Sequence, residues 1–260
     1  MLFIYGTVYN SNRIILKSLE SVMKIKLEKS IYVVDNYSTD GTYETLQDNL
    51  KKYNMIVSQA RCTRGRGRQL AIEMAEKKAS ANDMFMFIDL DTVYSESFAD
   101  LIEYAYSNID HNTVFLDNHL CYYDVNHAVP WKDLMAAEDV EREARFISLG
   151  YKLTYPSKDI KILENENVTF DREKRYASSI GYYKRKLRLA QDVLIGVGCN
   201  NIRNLVFFMR NAKVRKRYYW TFTIIFLYVK IFKKIYKYSP DTNIEFIRRK
   251  SKYIDIDFLK

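Results

Sequence analysis

Two aspartates one residue apart, Asp89 and Asp91, follow the apolar run Met84-Phe85-Met86-Phe87-Ile88. A buried strand ending there delivers both carboxylates to the C-terminal edge of a sheet, where open α/β sheets bind ligands. Hard oxygen donors suit Mg2+ or Mn2+, and a cation so held neutralises a diphosphate as charge builds on it during departure. Two acids in an ordinary loop give the same letters, so the pair alone identifies nothing. Asp35 ends a second apolar run, Val33-Val34, and opens the turn Asn36-Tyr37-Ser38-Thr39-Asp40-Gly41-Thr42. At a strand tip it can accept from a base N–H or a ribose hydroxyl, or simply anchor an Asx turn. Arg64, Arg66 and Arg68 alternate with Gly65 and Gly67. Glycine permits close backbone approach and guanidinium forks match phosphate. No Gly-Lys-Ser/Thr follows, so this is not a P-loop; an Arg-Gly nucleic-acid segment is the competing reading. Glu138-Asp139 opens a helical pattern, where a carboxylate serves either as a base for a hydroxyl or as a favourable charge at a helix N-terminus. The three histidines, His111, His119 and His127, read as polar loop residues, with metal ligation as the alternative.

Such residues need a scaffold that brings distant segments to one edge. Leu2–Tyr5, Ile31–Val34, Met55–Val57 and Met84–Ile88 read as strands buried on both faces. Between them, Arg13–Met23, Thr42–Tyr53, Arg68–Lys78 and Glu96–Tyr106 carry apolar residues at three- and four-residue spacing. This alternation predicts βαβ units on a mostly parallel sheet. Asn10 or Ser11, Asp40 and Ser95 are the expected N-caps. Further on, Thr113–Leu116, Leu120–Tyr123 and Tyr151–Tyr155 are strand candidates, and Asp133–Leu149 is a helical run closed by Gly150.

A chain of 260 residues with 48% hydrophobic composition can bury one substantial core. Three widely spaced cysteines, Cys62, Cys121 and Cys199, indicate neither a disulfide framework nor a zinc site, so a reducing, cytoplasmic setting is expected. Met1–Gly6 shows none of the features of a signal peptide. The net charge of +9 is unevenly placed: residues 1–170 carry 19 Lys and Arg against 25 Asp and Glu, and residues 171–260 carry 22 against 7. A basic C-terminal third suggests contact with an anionic surface, membrane or nucleic acid, or else a solvated basic face. Within it, Tyr218–Phe232 is apolar over about 22 Å as a helix, short of a bilayer core of roughly 30 Å. Its basic flanks, Lys213, Arg215, Lys216 and Arg217 before and Lys233, Lys234 and Lys237 after, suit a helix lying in the headgroup layer. Packing on the enzyme body is the alternative.

In order, Thr7-Val8-Tyr9-Asn10, Val34 to Thr42, Gly67-Arg68-Gln69-Leu70-Ala71-Ile72, Asp89-Leu90-Asp91, and Glu138-Asp139-Val140-Glu141 with Arg145 and Gly150 resemble glycosyltransferase family 2 over about residues 1–155. The resemblance implies an α/β GT-A fold, a Rossmann-like, mostly parallel sheet flanked by helices, in residues 1–170. Its donor-binding half would be about 1–92 and its acceptor-side half about 93–170, with a helical basic extension over 171–260. It implies an inverting transfer from a nucleotide-diphospho-sugar to a hydroxyl on a glycan, a lipid-linked or a protein acceptor, assisted by Mn2+ or Mg2+. By the same resemblance Thr7, Tyr9, Asp35 and Arg68 hold the nucleoside, Asp89 contacts ribose or metal, and Asp91 is the direct metal ligand. Asp139 is then the catalytic base and Glu138 supports the acceptor side.

Two departures bear on the acceptor. The glycine pair often found ahead of Glu-Asp is replaced by Asn118-His119-Leu120-Cys121-Tyr122-Tyr123 and Pro130-Trp131-Lys132-Asp133, and the Gln-x-x-Arg-Trp motif of processive members is absent, which implies single additions. A peripheral membrane contact through 203–237 at the cytosolic face is expected, and nucleic acid is disfavoured as a partner. The competing functions are a nucleotidyltransferase, which would release pyrophosphate, and a non-catalytic membrane or nucleic-acid adaptor.

Overall fold

Apolar runs that alternate with amphipathic helices can be satisfied only by a sheet covered on both sides. A computed structural model, which describes residues 1–115, 118–156, 187–188, 190–192, 194–196, 202–211, 219–232 and 253–254, has this form. Strands β1 (Leu2–Val8), β2 (Lys29–Asp35), β3 (Met55–Gln59) and β4 (Met84–Phe87) lie parallel in the order β3-β2-β1-β4. Helices α1 (Asn12–Met23), α2 (Thr42–Asp48) and α3 (Arg64–Ala75) are the crossovers, and α4 (Glu96–Asn108) follows β4. The order reverses between β1 and β4, which places the ligand crevice of an open sheet at their C-terminal tips.

Past α4 come β5 (Thr113–Phe115), β6 (Cys121–Tyr122), α5 (Tyr123–Ala128), α6 (Glu138–Ser148) and β7 (Lys152–Pro156). The short β6 adds antiparallel to β4. A second sheet runs β5-β7-β8, where β8 is Tyr253–Ile254. The described residues between 187 and 196 are helical, and helices α7 (Ile202–Asn211) and α8 (Tyr219–Phe232) follow.

Strand side chains alternate between faces, and the two cores follow that period. Leu2 and Ile4 pack with Ile15, Leu19 and Val22 of α1 and with Phe98, Leu101 and Ile102 of α4. Phe3 and Tyr5 pack with Tyr32, Phe85 and Phe87, with Ala71, Ile72 and Ala75 of α3, and with Trp131.

Several element boundaries differ from expectation. The third helix begins at Arg64 rather than Arg68, because Thr63 accepts the Arg66 N–H at 3.2 Å and caps a turn that two glycines would otherwise weaken. The second stops at Asp48. The helix expected from Asp133 begins at Glu138, and α5 was not anticipated. Ser95 caps α4 as expected, accepting the Phe98 N–H, whereas Ser11 precedes α1 without a side-chain capping bond, its hydroxyl donating to the Tyr9 carbonyl at 3.3 Å. Gly41, not Asp40, occupies the N-cap of α2; Asp40 accepts the N–H groups of Thr42 and Asn12. Gly150 takes φ +88° after α6, as a closing glycine should.

The inner face of α8 is packed on the rest of the protein: Ile225, Phe226 and Val229 join Leu194, Leu205, Met209 and Leu134 in one cluster. Among the described residues no helix is long and apolar enough to cross a membrane. Cys199, Leu116, Tyr218 and the basic flanks at 213–217 and 233–237 lie outside the described residues.

Candidate active site

The tips of β1 and β2 meet in register, Thr7 opposite Val34 and Val8 opposite Asp35. Thr7 Oγ1 donates to the Val34 carbonyl at 2.9 Å. Asp35 has no exposed surface; its carboxylate accepts the Ser38 N–H at 3.0 Å, the Ser38 hydroxyl, and the Gln59 amide at 3.0 Å. These bonds shape the turn that carries Tyr37, whose φ is +52° and whose exposed ring lies 5.6 Å from the Arg61 guanidinium carbon. Ser38 and Gln59 thus enclose the Asp35 carboxylate. Tyr9 is half-buried next to this turn, where Asn10 accepts the Thr39 N–H.

At the tip of β4 the Ile88 N–H donates to the Tyr5 carbonyl and the Asp89 N–H to the Tyr94 hydroxyl, both at 2.9 Å. Burial, and after it the charge of Asp89, raises the Tyr94 pKa, so this hydroxyl stays protonated. The Asp89 side chain remains 44% exposed, and Asp91 is half-buried one turn residue beyond it.

The two glycines of α3 let it approach both neighbours. A Cβ on Gly67 would lie 2.5 Å from Thr7 Oγ1, and one on Gly65 only 2.0 Å from the Lys132 carbonyl oxygen. Gly65 N–H donates to the Leu134 carbonyl at 3.0 Å, so α3 and the segment before α6 touch backbone to backbone. One turn further, the buried Arg68 bridges two chain segments: Nη2 donates to Asp89 Oδ1 at 2.8 Å and Nη1 to Glu138 Oε1 at 3.0 Å. Its guanidinium carbon sits 4.1 Å from the Phe87 ring centroid and 4.6 Å from that of Trp131. A desolvated cation–π pair of this type is worth about 2 kcal/mol. Arg64 Nη1 reaches the same Glu138 oxygen at 3.3 Å from a half-exposed position. Burial alone would lower the Arg64 pKa, but Glu138, Asp89 and Asp91 outweigh it and raise it. Arg66 points away and pairs with Glu73.

Arg68, Asp89 and Glu138 are therefore in direct contact, with Thr7 and Asp35 on neighbouring strand tips. Asp139 stands next to Glu138, half-buried, its Oδ1 accepting the Val140 N–H at 2.8 Å; it makes no hydrogen bond or ion pair with the other candidates. Ala137, just ahead, holds φ +56°, a strained conformation for a residue other than glycine, and turns the chain into α6.

Behind this site lies a set of residues that sequence reasoning missed. Arg142 is fully buried, and among the described residues it has no carboxylate partner. It donates instead to the Val129 carbonyl, the Tyr5 hydroxyl and both oxygens of Asn126 at 2.7–3.2 Å. Tyr5 also accepts the Trp131 indole N–H at 3.0 Å. Trp131 lies 4.6 Å from the Arg142 guanidinium carbon and is stacked on His119. His119 has no exposed surface; burial, then Arg142 and Arg68, hold its pKa well below the ordinary value of 6.5. The available signal was spacing: Glu138, Arg142 and Phe146 recur every four residues, the stripe of one buried helix face, but two of the three are charged.

Asp89 and Asp91 supply two oxygen-donor side chains at an open edge, and among the described residues no third His, Cys, Asp or Glu completes a protein-only metal cluster. That donor set fits Mg2+ or Mn2+, which is commonly held by one or two carboxylates while substrate phosphates and water fill the remaining positions.

A parallel sheet with its switch point at β1/β4, carboxylates on the strand tips and a mixed edge define a GT-A architecture. The solved structure of S. aureus TarS 1-349 superposes with a TM-score of 0.54 at 15% identity, covering 96% of this chain and 83% of that one. The same fragment in complex with UDP-GlcNAc gives 0.54 at 16%, over 86% and 79%. The mannosyltransferase PcManGT from Pyrobaculum calidifontis, in complex with GDP-Man and Mn2+, gives 0.52 at 12%, over 89% and 87%. Against the longer TarS structure the chain spans 49% of the neighbour's length. No curated protein sequence matches significantly. The family model described as "Glycosyl transferase family 2" matches residues 6–171, and the chain belongs to that family: a glycosyltransferase with the GT-A fold.

Proposed function

We propose that the protein transfers a sugar from a nucleotide diphosphate donor to an acceptor hydroxyl, with inversion and with the help of Mn2+ or Mg2+. The observation that carries this reading is the Arg68 bridge. One buried guanidinium joins Asp89, at the donor edge of the sheet, to Glu138, beside Asp139 at the start of α6. It thereby fixes the spacing between the leaving-group side and the attacking side of an in-line displacement, which is what positioning contributes to rate. That solved neighbours are complexes with UDP, UDP-GlcNAc, and GDP-Man with Mn2+ supports a nucleotide-sugar donor and a divalent ion.

In this reading Thr7, Tyr9 and the Asp35 turn receive the nucleoside, and Arg64 and Arg68 face the diphosphate. Asp91, with Asp89, would hold the cation, which when bound stabilises negative charge on the departing diphosphate. Asp139 takes the proton of the acceptor hydroxyl as its oxygen attacks the anomeric carbon from the side opposite the diphosphate. Glu138, tied to both arginines, supports the acceptor side by fixing the first turn of α6.

The test is a panel of nucleotide sugars screened for thermal stabilisation with and without Mn2+, since a ligand bound only by the native state raises apparent stability. Product anomeric configuration is then read by NMR for the matched donor. A matched donor whose product retains configuration would refute inversion. Undiminished turnover in Asp91→Asn would refute metal assistance through this residue.

A further inference from the structure

Exposed apolar surface is concentrated on two helices. Among the described residues, eight of the fourteen large hydrophobic side chains left exposed lie on α7 and α8, so this is a patch rather than scatter. On α8 they are ordered: Trp220, Ile224, Leu227 and Ile231 follow the spacing of one helix face and are 80, 64, 51 and 71% exposed. The opposite face, Ile225, Phe226 and Val229, is the one buried on the enzyme. The helix thus has two apolar faces, of which the protein covers one.

Charge indicates what covers the other. Residues 193–240 contain ten Lys or Arg and no Asp or Glu. At 14 residues α8 is about 21 Å long, too short to cross a bilayer but suited to lying in its surface. An apolar stripe within a stretch of sequence that is basic and without acidic residues matches an anionic headgroup layer over an acyl bed. A polynucleotide matches the charge but not the stripe, because it offers phosphates and base edges.

We propose that α7 and α8 dock the protein in the plane of an anionic bilayer, and that the acceptor is borne by that bilayer. The acceptor part rests on the glycosyltransferase reading. The segment before α6 packs on the docking helices through Leu134 and on the helical residues that precede them through Asp192 and Gly196. Leu134 packs in the α8 cluster, Met135 N–H donates to Asp192 at 2.8 Å, and a Cβ on Gly196 would lie 2.5 Å from the Ala137 carbonyl oxygen. Ala137 leads directly into Glu138 and Asp139, so the docking surface and that side of the site are joined by packed chain.

Full-length protein is sedimented with vesicles of phosphatidylcholine alone or mixed with phosphatidylglycerol, and its tryptophan emission is followed. The chain has two tryptophans, and Trp131 is buried, so a vesicle-induced change reports Trp220. We expect a blue shift and binding to anionic vesicles, weakened about tenfold or more on neutral vesicles and in the double variant Leu227→Asp/Ile231→Asp. That variant keeps the unmodified rate of donor hydrolysis in buffer. With vesicles containing lipid extracted from the source membranes, nucleoside diphosphate release rises above hydrolysis in the unmodified chain and does not in the variant. Sedimentation of the variant equal to the unmodified chain, an unchanged emission, or displacement from vesicles by poly(U) overturns the docking. No rise with the lipid extract overturns the lipid-borne acceptor. These failures leave donor hydrolysis, and with it the transferase reading, standing; absent hydrolysis with vesicle binding intact removes only the latter.

Discussion

The strand-tip edge that we read as taking the donor and the start of α6 that we read as facing the acceptor are built by different means. At the strand-tip edge, parallel strands in fixed register set Thr7 and Asp35, Asp89 follows two residues past the end of β4, and the backbone does most of the positioning. At the start of α6 there is little regular sheet, and Glu138 depends on side chains, with Arg68, Trp131, Tyr5, Arg142 and His119 in one buried contact network, while Asp139 stands at its edge. A backbone-set site loses chemistry but not fold when a tip residue is replaced. A side-chain-set site loses both.

The comparison is sharpened most by Asp139→Asn, because Asp139 sits at the edge of the buried network rather than within it. Transfer should fall about a thousandfold, the range expected for a lost general base, with the denaturation midpoint unchanged. Steady-state kinetics and urea unfolding on one preparation check both halves. Arg142→Met, a residue with no proposed contact to substrate, should cost about 3 kcal/mol of stability, because Tyr5, Asn126 and the Val129 carbonyl lose a buried donor. Urea denaturation measures it, and a cost below about 1 kcal/mol would break the contrast.

Gly65→Ala probes the seam between the two halves. The added methyl cannot fit beside the Lys132 carbonyl, so the 132–134 segment must shift, at about 1–3 kcal/mol. Acceptor-dependent turnover should drop more than donor affinity, read as kcat against donor KM. The smallest effect belongs to His119. Its folded pKa lies below 6.5, so the unfolded chain binds the extra proton; the native advantage is complete above about pH 6.5 and declines as pH falls toward the folded value. Replacing it by Phe should flatten the stability–pH curve by up to about 1.4 kcal/mol per pH unit in that window.

The same contrast decides what could be read from sequence. Strand runs and the order of Asp35, Arg68 and Asp89 announce the donor edge, because period-two burial and tip carboxylates are local patterns. The start of α3 was hidden by the two glycines of Arg-Gly-Arg-Gly, poor helix formers kept there for close approach. The start of α6 was hidden because Leu134 and the left-handed Ala137 answer to tertiary packing rather than helical periodicity. His119 and Arg142 were invisible for a related reason: polar residues are expected outside, and only three-dimensional partners make their burial tolerable. The Asx-turn reading of Asp35 anticipated its bonds from Ser38, but no local pattern showed that Gln59 closes it from the next strand.

The glycines at 65 and 67 have a consequence for how this enzyme can be altered. Neither takes a positive φ, so each is kept for room rather than for flexibility. The space they leave is already filled by neighbouring atoms, which makes the passage between donor edge and attacking helix a fixed gauge. Redesign of sugar or acceptor preference therefore has to work from the rim, at exposed positions such as Tyr37 and Arg61 or along the approach to α6. A library that randomises the two glycines would mostly return proteins that no longer close the site.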